Sequence, residues 1–186
     1  MQKSSISNFF GIGNLKNIKV TVTVALFVAI SIISGKFLAV SIGDTLRFSF
    51  ENLTIILSGI LFGPVVGAVT GIAADLIGCI LRGYTINPIL TLGAACIGFI
   101  SGFMYYAITR CSVTFRVLIS TFSSHLIGSV LIKTAGLSWF YSLPFNITLI
   151  SRAINYSVVF AAEFFVLMIL IKNKAFMGQI SKIRGN

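Results

Sequence analysis

The chain has 186 residues, of which 56% are hydrophobic and 10% are charged, whereas a soluble domain has about 45–50% apolar and about 25% charged residues. So few charged residues cannot cover a soluble surface, and 17 Phe with a mean hydropathy of +1.01 exclude a disordered chain. The Lys and Arg residues that give the net charge of +10 lie between apolar runs rather than on one solvated face. This distribution excludes a nucleic-acid-binding domain and predicts an integral membrane protein.

The first apolar run, residues 20–40, is long enough to cross a hydrocarbon core of about 30 Å as a helix. It is longer than the core of a signal peptide and further apolar runs follow, so we expect a transmembrane helix. Ala25 and Ala29 lie about one turn apart on this helix. Small residues at this spacing let another helix approach closely, either inside the bundle or on a partner subunit.

The next two segments have different patterns. Residues 41–51 alternate between apolar and polar side chains from Leu46 onwards, which predicts a short extended hairpin or a lid over the bundle. Residues 52–81 are predominantly apolar and would form a helix about 45 Å long, which exceeds the hydrocarbon core. Gly63-Pro64 breaks that helix, because proline removes a helical hydrogen bond. We therefore expect two short helices that each cross only part of the bilayer unless they are extended at their outer ends.

Four glycines recur at every fourth position across this pair of helices. The spacing places them on one helix face and predicts close packing inside the bundle. They are Gly59, Gly63, Gly67 and Gly71.

Three further apolar runs lie at residues 88–108, 113–132 and 148–171. They complete six predicted transmembrane helices, of which the second is short. The predicted fold class is therefore an all-α membrane protein, and residues 1–186 form a single domain built as one compact six-helix bundle.

The terminal tails, residues 1–17 and 173–186, lie on the same side of the membrane if the number of spans is even. The loops and tails on that side carry nine cations and no acidic residue, so the positive-inside rule predicts that both termini are cytoplasmic. The nine cations are Lys3, Lys16, Lys19, Arg110, Arg116, Lys172, Lys174, Lys182 and Arg184.

In this orientation the loops at residues 41–51, 82–88 and 136–146 face outward and bring cations, aromatic rings and amides together. A ligand enclosed by these loops would be planar enough to stack on an aromatic ring and anionic enough to attract Arg or Lys. For Trp139 and Tyr141, the alternative is an interfacial aromatic belt.

Three ionisable residues, Asp75, His125 and Glu163, lie deeper in the predicted helices. Such residues usually face the bundle interior or a water-filled cavity. They form either a proton relay or buried helix–helix hydrogen bonds, and we favour the latter because no second carboxylate lies near any of them in sequence. The chain has no hydrolase, nucleotide-binding or metalloprotease motif, so we expect neither an enzyme nor a metal site.

Three segments carry a family resemblance. Residues 46–50 read LRFSF, residues 60–68 read ILFGPVVGA, and residues 71–78 read GIAADLIG. They resemble the S components of energy-coupling factor (ECF) vitamin transporters, which are the substrate-binding membrane subunits. Gly83-Tyr84 and residues 90–92, which read LTL, make the folate-specific branch the most similar.

The resemblance covers about residues 18–172 and implies a location and a set of partners. An S component binds its vitamin in an outward-facing pocket covered by loops in the bacterial cell membrane. It then docks through small residues on its first helix, here Ala25 and Ala29, to a transmembrane T component that carries two ATPases. ATP is used by those partners, and this chain itself needs no cofactor.

Folate has a planar pterin and a glutamate with two carboxylates, so three kinds of side chain are candidates for binding it. Cations would bind the carboxylates, aromatic rings would stack on the pterin, and amides would pair with its edges. The candidate cations are Lys36, Arg47, Arg82 and Arg152; the aromatic residues are Tyr84, Trp139 and Tyr141; the amides are Asn87, Asn146 and Asn155.

Two alternatives remain. The same fold can serve another vitamin, such as riboflavin, pantothenate or thiamine, although cationic thiamine would require more acidic residues than the outer loops contain. A stand-alone secondary transporter of a small solute would instead use Asp75 and Glu163 as coupling groups and need no partner.

Overall fold

The computed structural model describes residues 10–37, 39–42 and 46–185. A 3-10 turn at Ile12–Lys16 precedes helix α1 (Ile18–Phe37) and a hairpin of strands β1 (Val40–Ile42) and β2 (Leu46–Phe48). The remaining helices are α2 (Glu51–Phe62), α3 (Pro64–Arg82), α4 (Pro88–Ala107), α5 (Val113–Tyr141), α6 (Phe145–Lys172) and α7 (Lys174–Arg184). In these ranges, the five helices α1 and α3–α6 are long and apolar enough to cross a membrane, while α2 is shorter.

Side chains and glycines at the helix ends explain several of these boundaries. The side chains of Asn17, Asn87 and Asn173 each accept a hydrogen bond from a backbone N–H in the first turn of the helix that follows. Ser112 does the same for α5, and Gly83 ends α3 in the left-handed conformation with φ 68°. These are favourable caps, because the first N–H groups and last carbonyls of a helix have no partner within it.

The predicted break at Gly63-Pro64 is confirmed. Gly63 has φ 107°, which L-residues rarely adopt, and Pro64 opens α3. Helix α2 has 12 residues and is about 18 Å long, as predicted for a short helix. Helix α3 has 19 residues and is long enough to cross alone, so of the two helices only α2 is too short to span without an extension. Helix α3 continues through Asp75 and Arg82 because both side chains find polar partners, Thr91 and Glu51.

The glycine series packs inside the bundle, as predicted. A methyl group on Gly67 would overlap the carbonyl oxygen of Gly98, and one on Gly98 would overlap that of Gly67. A methyl group on Gly71 would overlap the carbonyl oxygen of Ala94. Helices α3 and α4 therefore cross with their backbones in contact, which fixes the position of the α3 end relative to the start of α4.

Helix α5 is longer than the predicted span of residues 113–132. It continues to Tyr141, so most of the predicted outer loop at residues 136–146 is helical. The helix is π-helical over His125–Ile132, and the carbonyl oxygen of Ser129 accepts two hydrogen bonds from Arg152. Such an outside donor stabilises an irregular turn whose own hydrogen bonds are distorted.

The hairpin and the C-terminus complete the fold. Strands β1 and β2 pair antiparallel, which confirms the predicted extended hairpin, and β2 lies against α6. The predicted C-terminal tail contains helix α7, which buries Ile180 against the bundle. The Nδ2 group of Asn17 donates a hydrogen bond to the carbonyl of Ile183, which joins α7 to the start of α1.

Candidate functional site

A cavity of about 550 Å³ lies at the end of the bundle where α3 ends and α6 begins, and we call it the main cavity. Its volume falls in the range of about 300–1,000 Å³ that is typical of sites for small organic ligands. Most of its walls come from the long helix α5 and from the ends of α3, α4 and α6. Five of the predicted binding residues line it: Arg82, Tyr84, Tyr141, Arg152 and Asn155.

The structure places three other predicted residues away from this cavity. Asn87 is 1% exposed and caps α4, and its Nδ2 donates to the carbonyl of Gly136, so both polar atoms of its amide are engaged by the backbone. Trp139 lies on helical backbone and is 77% exposed, as an interfacial aromatic residue would be. Asn146 is also exposed. The side chains of Lys36 and Arg47 lie outside the described part of the structure.

The main cavity has a surplus of positive charge. Its described lining contains three cations, Arg82, Lys133 and Arg152, against two carboxylates, Glu51 and Asp75. The Nη2 atom of Arg82 lies 3.7 Å from Oε2 of Glu51, so these two charges largely offset each other. Lys133 is only 8% exposed, and a cation so far removed from water attracts an anionic group strongly.

Arg152 is held in a defined orientation. Its Nε and Nη2 atoms donate to the carbonyl oxygen of Ser129 at 3.0 and 2.8 Å, and Nη2 also lies 3.4 Å from the hydroxyl of Tyr156. The guanidinium carbon is 5.1 Å from the centre of the Tyr156 ring. The π-helical turn of α5 thus positions a cation whose Nη1 group makes no hydrogen bond with any residue that the structure describes.

A smaller cavity of about 50 Å³ adjoins the main cavity, and we call it the floor cavity. Five described residues line both cavities: Glu51, Asp75, Cys79, Arg82 and Lys133. Ser31 and Asn52 line the floor cavity but do not line the main cavity. Oδ2 of Asp75 accepts a hydrogen bond of 2.7 Å from Thr91. Together the cavities form one site with a polar inner end, a cationic wall and tyrosine rings.

A protein-family profile described as "ECF transporter, substrate-specific component" matches residues 19–181, which is most of the chain. The chain belongs to this family. The resemblance seen in the sequence is therefore confirmed, and this S component is a substrate-binding transporter subunit in the membrane rather than an enzyme. A search of curated proteins gives no significant match.

Two solved structures show that the fold of this S component is similar to known ones. A crystal structure of FolT bound with folic acid has a TM-score of 0.65 and 23% identity, and the match covers 81% of this chain and 89% of that one. The S component of a bacterial ECF transporter has a TM-score of 0.59 and 17% identity, with coverage of 82% and 92%.

Five charged, amide or tyrosine residues that line the two cavities are absent from the predicted binding set: Glu51, Asn52, Asp75, Lys133 and Tyr156. Glu51 and Lys133 could have been identified as candidates, because both are charged residues at the edges of apolar runs. Tyr156 follows Arg152 by four residues, so that both lie on one helix face. Asn52 could not be assigned to the site from the sequence, because the direction of its side chain depends on how α2 packs.

His125 and Glu163 form the buried contact that we favoured. Nε2 of His125 lies 2.7 Å from Oε2 of Glu163, and the two side chains are 4% and 0% exposed. Neither residue is among the described residues that line the main cavity. The hydrogen bond joins α5 to α6 behind the site, and the ring of Tyr156 lies 5.3 Å from that of His125.

Proposed function

We propose that this chain is the folate-binding S component of an ECF importer. The observation that carries the proposal is the composition of the main cavity, where Arg82, Lys133 and Arg152 lie beside Tyr84 and Tyr141. A ligand with two carboxylates and a planar ring system complements this lining. The similarity in fold to a FolT that binds folic acid supports the same ligand class.

Folate enters from the extracellular side in this proposal. The chain crosses the membrane six times, with α2 as a short second span, and both termini are cytoplasmic. Support comes from exposed Lys16, Lys19 and Lys172, which lie at the ends of α1 and α6 that are opposite the main cavity. The positive-inside rule favours that end for the cytoplasm, which leaves the cavity facing outward.

The partners are a transmembrane T component and two ATPases, which use ATP to drive release. Ala25 and Ala29 are exposed on α1, and large apolar side chains on the same helix, including Leu26 and Ile30, are 59% and 47% exposed. A smooth apolar face of this kind suits close docking of another membrane helix. This chain binds the vitamin and carries no cofactor of its own.

The test is equilibrium binding to the purified chain in detergent, measured by titration calorimetry with folate, riboflavin, pantothenate and thiamine. We expect folate to bind tightly and the other three vitamins to bind at least about a hundredfold more weakly. Tight binding of one of the other vitamins, with no heat from folate, would remove folate as the substrate and leave the family assignment intact.

A further inference from the structure

The hydrogen bond between His125 and Glu163 is buried between α5 and α6, and neither residue is among the described residues that line the main cavity. Glu163 is 0% exposed, and its Oε1 atom makes no hydrogen bond with any described residue. A buried pair of this kind contributes little net stability, because the loss of hydration offsets most of its attraction. Apolar side chains at both positions would join the two helices at least as well, which indicates a role for the pair beyond stability.

Ser129 is the first connection between this pair and Arg152. Nδ1 of His125 lies 3.3 Å from Oγ of Ser129, and both residues belong to the π-helical part of α5. The backbone carbonyl of Ser129 accepts the two hydrogen bonds that orient the Arg152 guanidinium. Ser129 is 0% exposed, so bulk water cannot replace either contact. His125 therefore holds the residue that holds Arg152.

Tyr156 is the second connection. The centre of its ring lies 5.3 Å from that of the His125 imidazole and 5.1 Å from the guanidinium carbon of Arg152. Its hydroxyl oxygen lies 3.4 Å from Nη2 of Arg152, and the side chain lines the main cavity. The two groups that orient Arg152, which are the Ser129 carbonyl and the Tyr156 ring, thus both depend on the position of the imidazole.

The imidazole is held in place by the carboxylate rather than by packing alone. His125 lines a groove of about 350 Å³ between α5 and α6, which we call the lateral groove, together with apolar side chains such as Leu126 and Phe160. Packing leaves space on this side of the ring, so the ring has room to turn away from Ser129. The hydrogen bond of 2.7 Å to Oε2 of Glu163 fixes Nε2, and this sets the direction in which Nδ1 points.

We propose that Glu163 and His125 are positioning residues for recognition of a carboxylate on the ligand. The pair fixes the Ser129 carbonyl and the Tyr156 ring, and these hold Arg152 in the orientation that receives the carboxylate. A cation that is already oriented binds more strongly, because less side-chain freedom is lost when the ligand arrives. This inference rests on the proposed folate function and deepens it, since it names the residues that make the site select a ligand with a carboxylate.

Titration calorimetry with two ligands tests the proposal on the purified chain in detergent. The ligands are folate and the carboxamide of pteroic acid, which has neither the glutamate nor a free carboxylate. Glu163→Leu removes the acceptor for Nε2 of His125, Glu163→Gln keeps an oxygen acceptor there, and Ser129→Ala removes the hydroxyl but leaves the carbonyl.

The matched control is Ser120→Ala, on the same helix as His125. Ser120 is 0% exposed, and its hydroxyl donates to the carbonyl of Ser101, which joins α5 to α4. Ser120 is not among the described residues that line the main cavity or the lateral groove. The control therefore removes a buried interhelical hydrogen bond without touching the contacts that orient Arg152.

We expect Glu163→Leu to weaken folate binding by about tenfold and Ser129→Ala by about threefold or more. Glu163→Gln should stay within about threefold of the native chain, because the acceptor is retained. Binding of the carboxamide should change by less than about twofold in all three variants, and Ser120→Ala should leave both affinities unchanged. Removal of a negative charge would by itself favour an anionic ligand, so weaker folate binding in Glu163→Leu distinguishes positioning from a charge effect.

A double-mutant cycle with Arg152→Gln identifies the residue through which the pair acts. In the Arg152→Gln background, Glu163→Leu should weaken folate binding by less than about twofold, because the cation that it positions is already absent. A loss of the same size in both backgrounds would show that the pair does not act through Arg152.

Further results would overturn the proposal in different ways. An equal loss for folate and the carboxamide in Glu163→Leu would reduce the pair to a structural contact, and the folate function would stand. Native folate affinity in both Glu163→Leu and Ser129→Ala would do the same. If Glu163→Leu does not fold, as judged by thermal unfolding in detergent, native folate affinity in Ser129→Ala alone would overturn the positioning role. Absence of folate binding by the native chain would overturn the proposed function itself.

Discussion

Replacement of Arg152 by Gln tests how the main cavity binds a carboxylate. Arg152 is fixed by two hydrogen bonds to the carbonyl of Ser129 and by the Tyr156 ring, so its position changes little when a ligand arrives. Gln has similar length and keeps one N–H group for Ser129, but it removes the positive charge. The substitution therefore removes the interaction with the ligand while leaving most of the local packing in place.

The expected loss follows from the strength of charged hydrogen bonds. A hydrogen bond to a charged group contributes about 1.5–3 kcal/mol. The lower value corresponds to a loss of about tenfold in affinity, and the upper value to about 150-fold. Because Lys133 and Arg82 also line the cavity, the remaining positive charge keeps part of the attraction, and we expect about 10–50-fold for folate.

The assay compares folate with the carboxamide of pteroic acid, which has neither the glutamate nor a free carboxylate, by titration calorimetry in detergent. Folate binding should weaken in Arg152→Gln, whereas the carboxamide should bind with nearly native affinity. The control is Val158→Ala on the same helix, at a position that is 55% exposed and outside the main cavity. An equal loss for both ligands, or no loss for folate, would refute the assignment of Arg152 to the glutamate end.

Three further predictions concern stability and docking. Gly98→Leu would force α3 and α4 apart and should strongly lower the unfolding temperature in detergent. The control Gly178→Leu on α7, where no atom lies near the added side chain, should leave that temperature nearly unchanged, and equal effects would contradict the close-packing argument. Glu163→Leu removes the hydrogen-bond partner of buried His125 and should destabilise by about 1–3 kcal/mol, with Glu163→Gln clearly milder in the same thermal assay. Ala29→Trp should keep folate binding but lose co-purification with the partner subunits, unlike Ile169→Trp, which is exposed on α6.

Apolar runs and breaking residues were enough to predict most of the helices. The break before Pro64 and the start of α1 follow from chain composition, because helix length and proline chemistry are local properties. The end of α5 was missed, although Pro144 follows it by three residues, because residues 136–146 were interpreted as an outer loop that carries Trp139 and Tyr141. Helix α7 was also missed, and Asn173 and Gly185 were available as its cap signals.

The candidate site could be predicted only in part. Arg82 and Arg152 were identified because a charge beside an apolar run stands out in any sequence. Lys133 carried the same signal and was overlooked, whereas Asn52 could not be identified, because whether an uncharged side chain faces lipid, a helix or a cavity depends on helix rotation. That rotation is fixed by long-range packing, such as the Arg152–Ser129 contact at the π-helical turn of α5, and no local pattern determines it.

The most direct test of the account is a structure of the chain purified in the presence of folate. The account predicts folate in the main cavity, with the glutamate near Arg152. A glutamate far from Arg152 would contradict the assignment of that residue to the carboxylates of the ligand. An empty main cavity in a chain that is saturated with folate would contradict the central claim, which is that this cavity binds folate.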